Sequence, residues 1–89
     1  MDQTVRILLV DDDEVDRMAV RRALRGSSLS IEFTEADSVD SALESIEKGG
    51  CHLVFLDYQL PGGDGLRVVA TAREKGFTAP IIVLTGQAD

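Results

Sequence analysis

Leu53-Val54-Phe55-Leu56-Asp57 runs four apolar residues into a carboxylate, and Pro61-Gly62-Gly63-Asp64-Gly65 follows three residues later. An apolar run this short reads as a strand buried on both faces, since a half-exposed strand would alternate. The glycine-rich stretch reads as a turn. It leads into a helix with Leu66, Val69 and Ala70 facing inward, and Gly76 closes that helix. A buried strand that stops at an acid and then turns into a helix is one unit of an alternating α/β chain.

The same unit recurs on both sides. Val5-Arg6-Ile7-Leu8-Leu9-Val10 is apolar and partly β-branched, and reads as a second buried strand, ending at Asp11-Asp12. A helix is predicted from about Glu14 to Arg25, with Ala19, Val20, Ala23 and Leu24 as its inward stripe, stopped by Gly26 and the serines after it. Ile31-Glu32-Phe33-Thr34-Glu35-Ala36 alternates apolar and polar, as a half-buried edge strand does. Ser38 caps a helix carrying Val39, Ala42, Leu43 and Ile46, which Gly49-Gly50 ends. Pro80 opens Ile81-Ile82-Val83-Leu84, a fourth buried strand.

Strand–helix alternation with apolar strands predicts an open parallel sheet covered on both faces, with right-handed crossovers. Ligands bind such sheets at the carboxyl ends of the strands. Asp11, Asp12, Asp57 and Thr85 all fall at that edge.

Composition narrows the function classes. A chain of 89 residues is expected to form one domain with no output module. Its net charge of −7 argues against direct nucleic-acid binding, because phosphate backbones repel it. No apolar run approaches the roughly 20 residues of a membrane span. No basic-then-apolar leader precedes the first strand, so no signal peptide is expected. Cys51 is the one cysteine, which excludes an intramolecular disulfide and suits a reducing cytoplasm.

Asp11, Asp12, Asp13, Glu14 and Asp16 crowd into six residues. If the first and third strands are neighbours, Asp57 joins Asp11 and Asp12. Carboxylates so close cannot all ionise without compensation, so their pKa values rise or a cation neutralises them. Hard oxygen ligands with open positions favour Mg²⁺. A carboxylate beside that ion can act as a nucleophile toward phosphorus, with the Thr85 hydroxyl donating to a transferred oxygen.

At this point the sequence resembles a known family. Ile7-Leu8-Leu9-Val10-Asp11-Asp12, Val54-Phe55-Leu56-Asp57-Tyr58-Gln59-Leu60-Pro61-Gly62-Gly63-Asp64-Gly65 and Ile82-Val83-Leu84-Thr85-Gly86 resemble the receiver domains of two-component response regulators, of which the bacterial chemotaxis regulator is the best known. The resemblance implies a flavodoxin-like, doubly wound parallel sheet of strand order 2-1-3-4. It implies that Asp57 accepts a phosphoryl group from a histidine kinase or histidine phosphotransfer protein, with Mg²⁺ and no protein base. Asp12 then matches the direct metal ligand, Asp11 a ligand acting largely through water, and the Gln59 backbone carbonyl the third protein ligand. Thr85 matches the switch hydroxyl, and Gly86 a backbone amide beside the phosphoryl group.

Receivers continue with a fourth helix, a fifth strand bearing a phosphoryl-pairing lysine and a switch aromatic, and a fifth helix. The 89 residues carry none of these. Lys48 and Lys75 fall near helix ends at the opposite edge. A receiver incomplete after its fourth strand is therefore expected, with impaired readout and self-association through the exposed strand at 81–84.

Plainer readings cover other residues. Asp13 and Glu14 serve the start of a helix, and Asp64 caps the third helix. Arg17, Arg21, Arg22 and Arg25 form a solvated basic face rather than a docking patch. Cys51 is a small core hydrophobe and Tyr58 flanks the site, while His52 carries no assigned role. Two other functions compete. Asp11-x-Asp13-x-Val15 also fits haloacid dehalogenase-like phosphatases, but those need a longer chain, and the pattern leaves Asp57 unexplained. A receiver-like module that binds a partner without cycling phosphate is the other.

Overall fold

The computed structural model describes residues 4–84. Strands β1 (Thr4–Val10), β2 (Ser30–Ala36), β3 (Leu53–Asp57) and β6 (Ile81–Leu84) form one sheet of order β2-β1-β3-β6. All its pairings are parallel. This is the predicted 2-1-3-4 order. The fourth strand of that sheet is numbered β6 because β4 (Gln59–Leu60) and β5 (Gly63–Asp64) form a small antiparallel ladder before it. Gly63–Asp64 thus form a strand within the stretch 61–65 that the glycines mark as a turn.

Three helices connect the strands: α1 (Glu14–Arg25), α2 (Val39–Lys48) and α3 (Gly65–Glu74). Each begins at a side-chain cap that satisfies a free N–H. Asp13 accepts from the Val15 N–H, Ser38 from the Ser41 N–H and Asp64 from the Arg67 N–H. Gly49 and Gly76, at φ 77° and 90°, end α2 and α3 in a backbone conformation that favours glycine.

Alternation along β1 splits its side chains between two faces. Leu8 and Val10, with Val54 and Leu56 of β3, pack under Val39, Ala42 and Ile46 of α2 and Val68 and Ala72 of α3. This is the core. Ile7 and Leu9 point the other way and are also buried. In the parallel register they stand beside Phe33 and Glu35 of β2, and α1 is tied to Glu35 on that face.

Two helices bury a different stripe from the one the sequence suggested. In α1, Ala19 and Ala23 are exposed, Val20 and Leu24 are half-buried, and no residue is fully buried. Among the described residues no second helix shares its side of the sheet, so α1 lies at the margin with one flank open. In α3 the buried line is Gly65, Val68 and Ala72. Leu66 is 54% exposed, Ala70 is exposed and Val69 is half-buried. The close seating of Gly65 sets that phase. Its N–H donates to the Tyr58 carbonyl at 2.5 Å, and a Cβ there would lie 2.7 Å from the Asp57 carbonyl oxygen.

Candidate metal and phosphoacceptor site

Parallel pairing sets β1 and β3 side by side, with Val10 opposite Leu56. The residues that leave the sheet there are Asp11-Asp12 and Asp57. Carboxylate oxygens of Asp11, Asp12 and Asp57 lie within 4.8 Å of one another. Asp11 and Asp57 are half-buried, and Asp12 is exposed.

The Asp11 pKa is pushed up to about 6, first by burial and then by the charges of Asp57, Asp16 and Asp12; the Asp13 N–H, which donates to Asp11 Oδ1 at 2.9 Å, works against the rise. Burial first, and the neighbouring acids second, thus make negative charge on Asp11 unfavourable at this edge. An octahedral Mg²⁺ with oxygens at about 2.1 Å places ligand atoms roughly 3–4 Å apart, slightly tighter than this span. An all-oxygen donor set of three carboxylates fits such an ion.

Asp57 is held from its own strand and the next. The Gln59 N–H reaches Asp57 Oδ1 at 3.5 Å, and the Tyr58 N–H donates to the Leu84 carbonyl at 3.0 Å. Leu84 stands opposite Asp57 in the register. Thr85 and Gly86 lie outside the described residues. The loop after β3 is tied to α2, whose Val39 N–H donates to the Pro61 carbonyl at 3.2 Å. Asp13 stands apart as the α1 cap, so its carboxylate is engaged by the Val15 N–H. Lys75 pairs with Glu47 near the C-terminal end of α2, away from the acids. Cys51 is half-buried, which raises its thiol pKa. His52 accepts the Arg6 N–H at Nδ1, 2.9 Å away, and so serves the start of β3.

Two contributors escaped the sequence reading. One is the bare Cα of Gly65 against β3. The other is Arg17, read as part of a solvated face. Its side chain is 16% exposed, and its Nη1 donates to the Asp11 carbonyl at 2.5 Å. The available signal was its position one turn inside α1, since helical side chains lean toward the N-terminus and so toward the acid loop.

Known proteins match this chain in sequence and in fold. The family model described as the response regulator receiver domain matches residues 7–89. Response regulator MprA of Mycobacterium sp. (strain KMS) is 41% identical over 83 residues, 93% of this chain and 35% of that protein. MprA of Mycobacterium leprae is 39% identical over 83 residues, 93% of this chain and 36% of that protein. The chain thus spans about a third of the length of these curated relatives. Among solved structures, response regulator TrrA of Thermotoga maritima, in complex with Mg²⁺ and BeF, superposes with a TM-score of 0.83 at 34% identity, over 94% of this chain and 71% of that one. TrrA has also been solved in complex with the histidine kinase ThkA; that copy covers 96% of this chain and 72% of its own, at TM-score 0.78 and 34% identity. A parallel sheet of this order, an acid trio at its carboxyl edge and relatives of one kind lead to one assignment: the chain belongs to the receiver domains of two-component response regulators.

Proposed function

We propose that Asp57 accepts a phosphoryl group from the phosphohistidine of a histidine kinase or phosphotransfer protein. The observation that carries this reading is the convergence of Asp11, Asp12 and Asp57 within 4.8 Å. A carboxylate oxygen of Asp57 attacks phosphorus and forms an acyl-phosphate O–P bond as the P–N bond breaks. The imidazole nitrogen leaves with the bonding pair. Mg²⁺, when bound, offsets the charge on the transferred oxygens. Asp12 is the proposed direct ligand, Asp11 a ligand through water and the Gln59 carbonyl a third. Thr85 and Gly86 are proposed to meet the phosphoryl oxygens. Support comes from TrrA, solved with Mg²⁺ and BeF and with its kinase.

The engagement of Asp13 as a helix cap speaks against a dehalogenase-like role for it. Among the described residues β6 is the end strand of the sheet, and its unpaired backbone edge favours strand pairing between copies of this chain. Sedimentation at tens of micromolar is expected to show a dimer, and a stable monomer would remove that part of the proposal.

Beryllofluoride and Mg²⁺ test the main reading. Binding that needs both and is lost in Asp57→Asn supports it. A chain that binds a kinase but neither reagent is a non-cycling interaction module.

A further inference from the structure

Asp11 and Asp12 are consecutive, so the planar peptide between them sets the relative orientation of the two Cα positions from which both side chains leave. Two bonds fix Asp11 in the backbone. Its N–H donates to the Ala36 carbonyl of β2 at 3.0 Å. Its carbonyl, one end of that shared peptide, accepts from Arg17 Nη1 at 2.5 Å. The same guanidinium gives its Nε–H to Glu35 Oε1 at 2.6 Å, while Arg21 holds the other oxygen of Glu35. A planar fork can serve two acceptors in a set geometry; a lysine ammonium cannot copy that. The Arg17 side chain is shielded, at 16% exposed, while Glu35 sits nearer the solvent at 34%, so the bond is charge-assisted mainly from the arginine end.

We infer that Arg17 is a positioning residue for the acid pair, linking edge strand β2 through Glu35 to the peptide that aims Asp11 and Asp12 at the cation. The inference rests on the metal reading above. It separates from simple electrostatics by sign. Removing a positive charge beside the acids would by itself strengthen cation binding. Loss of positioning weakens it, as loss of outer partners of metal ligands does by about tenfold or more.

The test is a Mg²⁺ titration of the chain followed by fluorescence of Tyr58, its one tyrosine in the absence of tryptophan, together with metal-free NMR shifts of the Asp11 carbonyl and Asp12 amide. Arg17→Ala and Arg17→Lys should each weaken Mg²⁺ about tenfold and move both shifts. Glu35→Gln should do the same to a smaller degree. Arg22→Ala, an exposed position on the same helix, should change affinity by less than about twofold, in the direction of tighter binding if at all. Should Arg17→Ala fail to fold, Arg17→Lys and Glu35→Gln keep the comparison, and slower solvent exchange at Arg17 Nε–H than at Arg22 tests the bond in the unaltered chain. If the Arg17 variants bind Mg²⁺ as Arg22→Ala does, the inference is overturned and the metal reading stands. If the unaltered chain binds no Mg²⁺, the metal reading falls, and unchanged Asp11 and Asp12 shifts would then overturn the positioning role as well.

Discussion

The two faces of the sheet are built differently. Under α2 and α3, Leu8, Val10, Val54 and Leu56 are buried against Val39, Ala42, Ile46, Val68 and Ala72. On the α1 face, Ile7 and Leu9 are buried, but Phe55 is half-buried, and Ile82 and Leu84 are 42% and 38% exposed. The carboxyl edge draws on both. Asp57 is placed by apolar packing of β3 against α3, seated through Gly65. The Asp11-Asp12 loop, beside α1, is placed largely by polar bonds to Ala36, Asp13 and Arg17. The proposed phosphoacceptor thus sits on the side packed by apolar contacts, and the proposed metal ligands hang from the side held by hydrogen bonds.

Substitutions can break that contrast, starting where the effect is largest. Leu56→Ala removes a fully buried side chain at the centre of the packed face, and denaturant unfolding should show a loss of about 2–5 kcal/mol. Ala23→Ser, on the exposed flank of α1, should stay within about 0.5 kcal/mol. Equal costs at the two positions would erase the difference between the faces. Gly65→Ala places a methyl 2.7 Å from the Asp57 carbonyl oxygen, so α3 must shift away from β3. Overpacking of this kind costs about 1–3 kcal/mol, and the Asp57 amide should shift in NMR spectra.

The smallest effect sharpens the polar side. Asp11 in the folded chain has its pKa raised from 3.8 to about 6. Between those values the folded state holds more protons than the unfolded one, so this group's contribution to stability falls as pH rises from about 4 to about 6. Thermal melting in chelator, compared with Asp11→Asn, should show that decline only in the unaltered chain. A difference that instead grows with pH would mean that burial and the neighbouring acids do not govern Asp11.

Much of this was legible in the residues. Apolar runs marked β1 and β3 as interior strands and alternation marked β2 as an edge, but the apolar run at 81–84, which reads as a buried strand, is the end strand β6 with Ile82 and Leu84 exposed. Asp13, Ser38 and Asp64 each sit where a helix needs an acceptor. The acid trio followed from placing β1 beside β3. Helix phase was harder to read. Leu66 is larger than Val68 and drew the inward stripe toward itself, yet the contact that sets α3 is made by a glycine with no side chain to count. Alanines at 19 and 23 look like an inward stripe until the lateral cover of α1 is known. Arg17 looks like its exposed neighbours, because periodicity cannot show a carbonyl one turn behind. Thr85 and Gly86 rest on the resemblance alone, outside the described residues.

Intact-mass spectrometry with a small phosphoryl donor tests the central claim most directly. One phosphoryl group should be gained in the presence of Mg²⁺, map to Asp57, and be lost with chelator or in Asp57→Asn. Phosphorylation that persists in Asp57→Asn, or none under any donor while beryllofluoride also fails to bind, would contradict it.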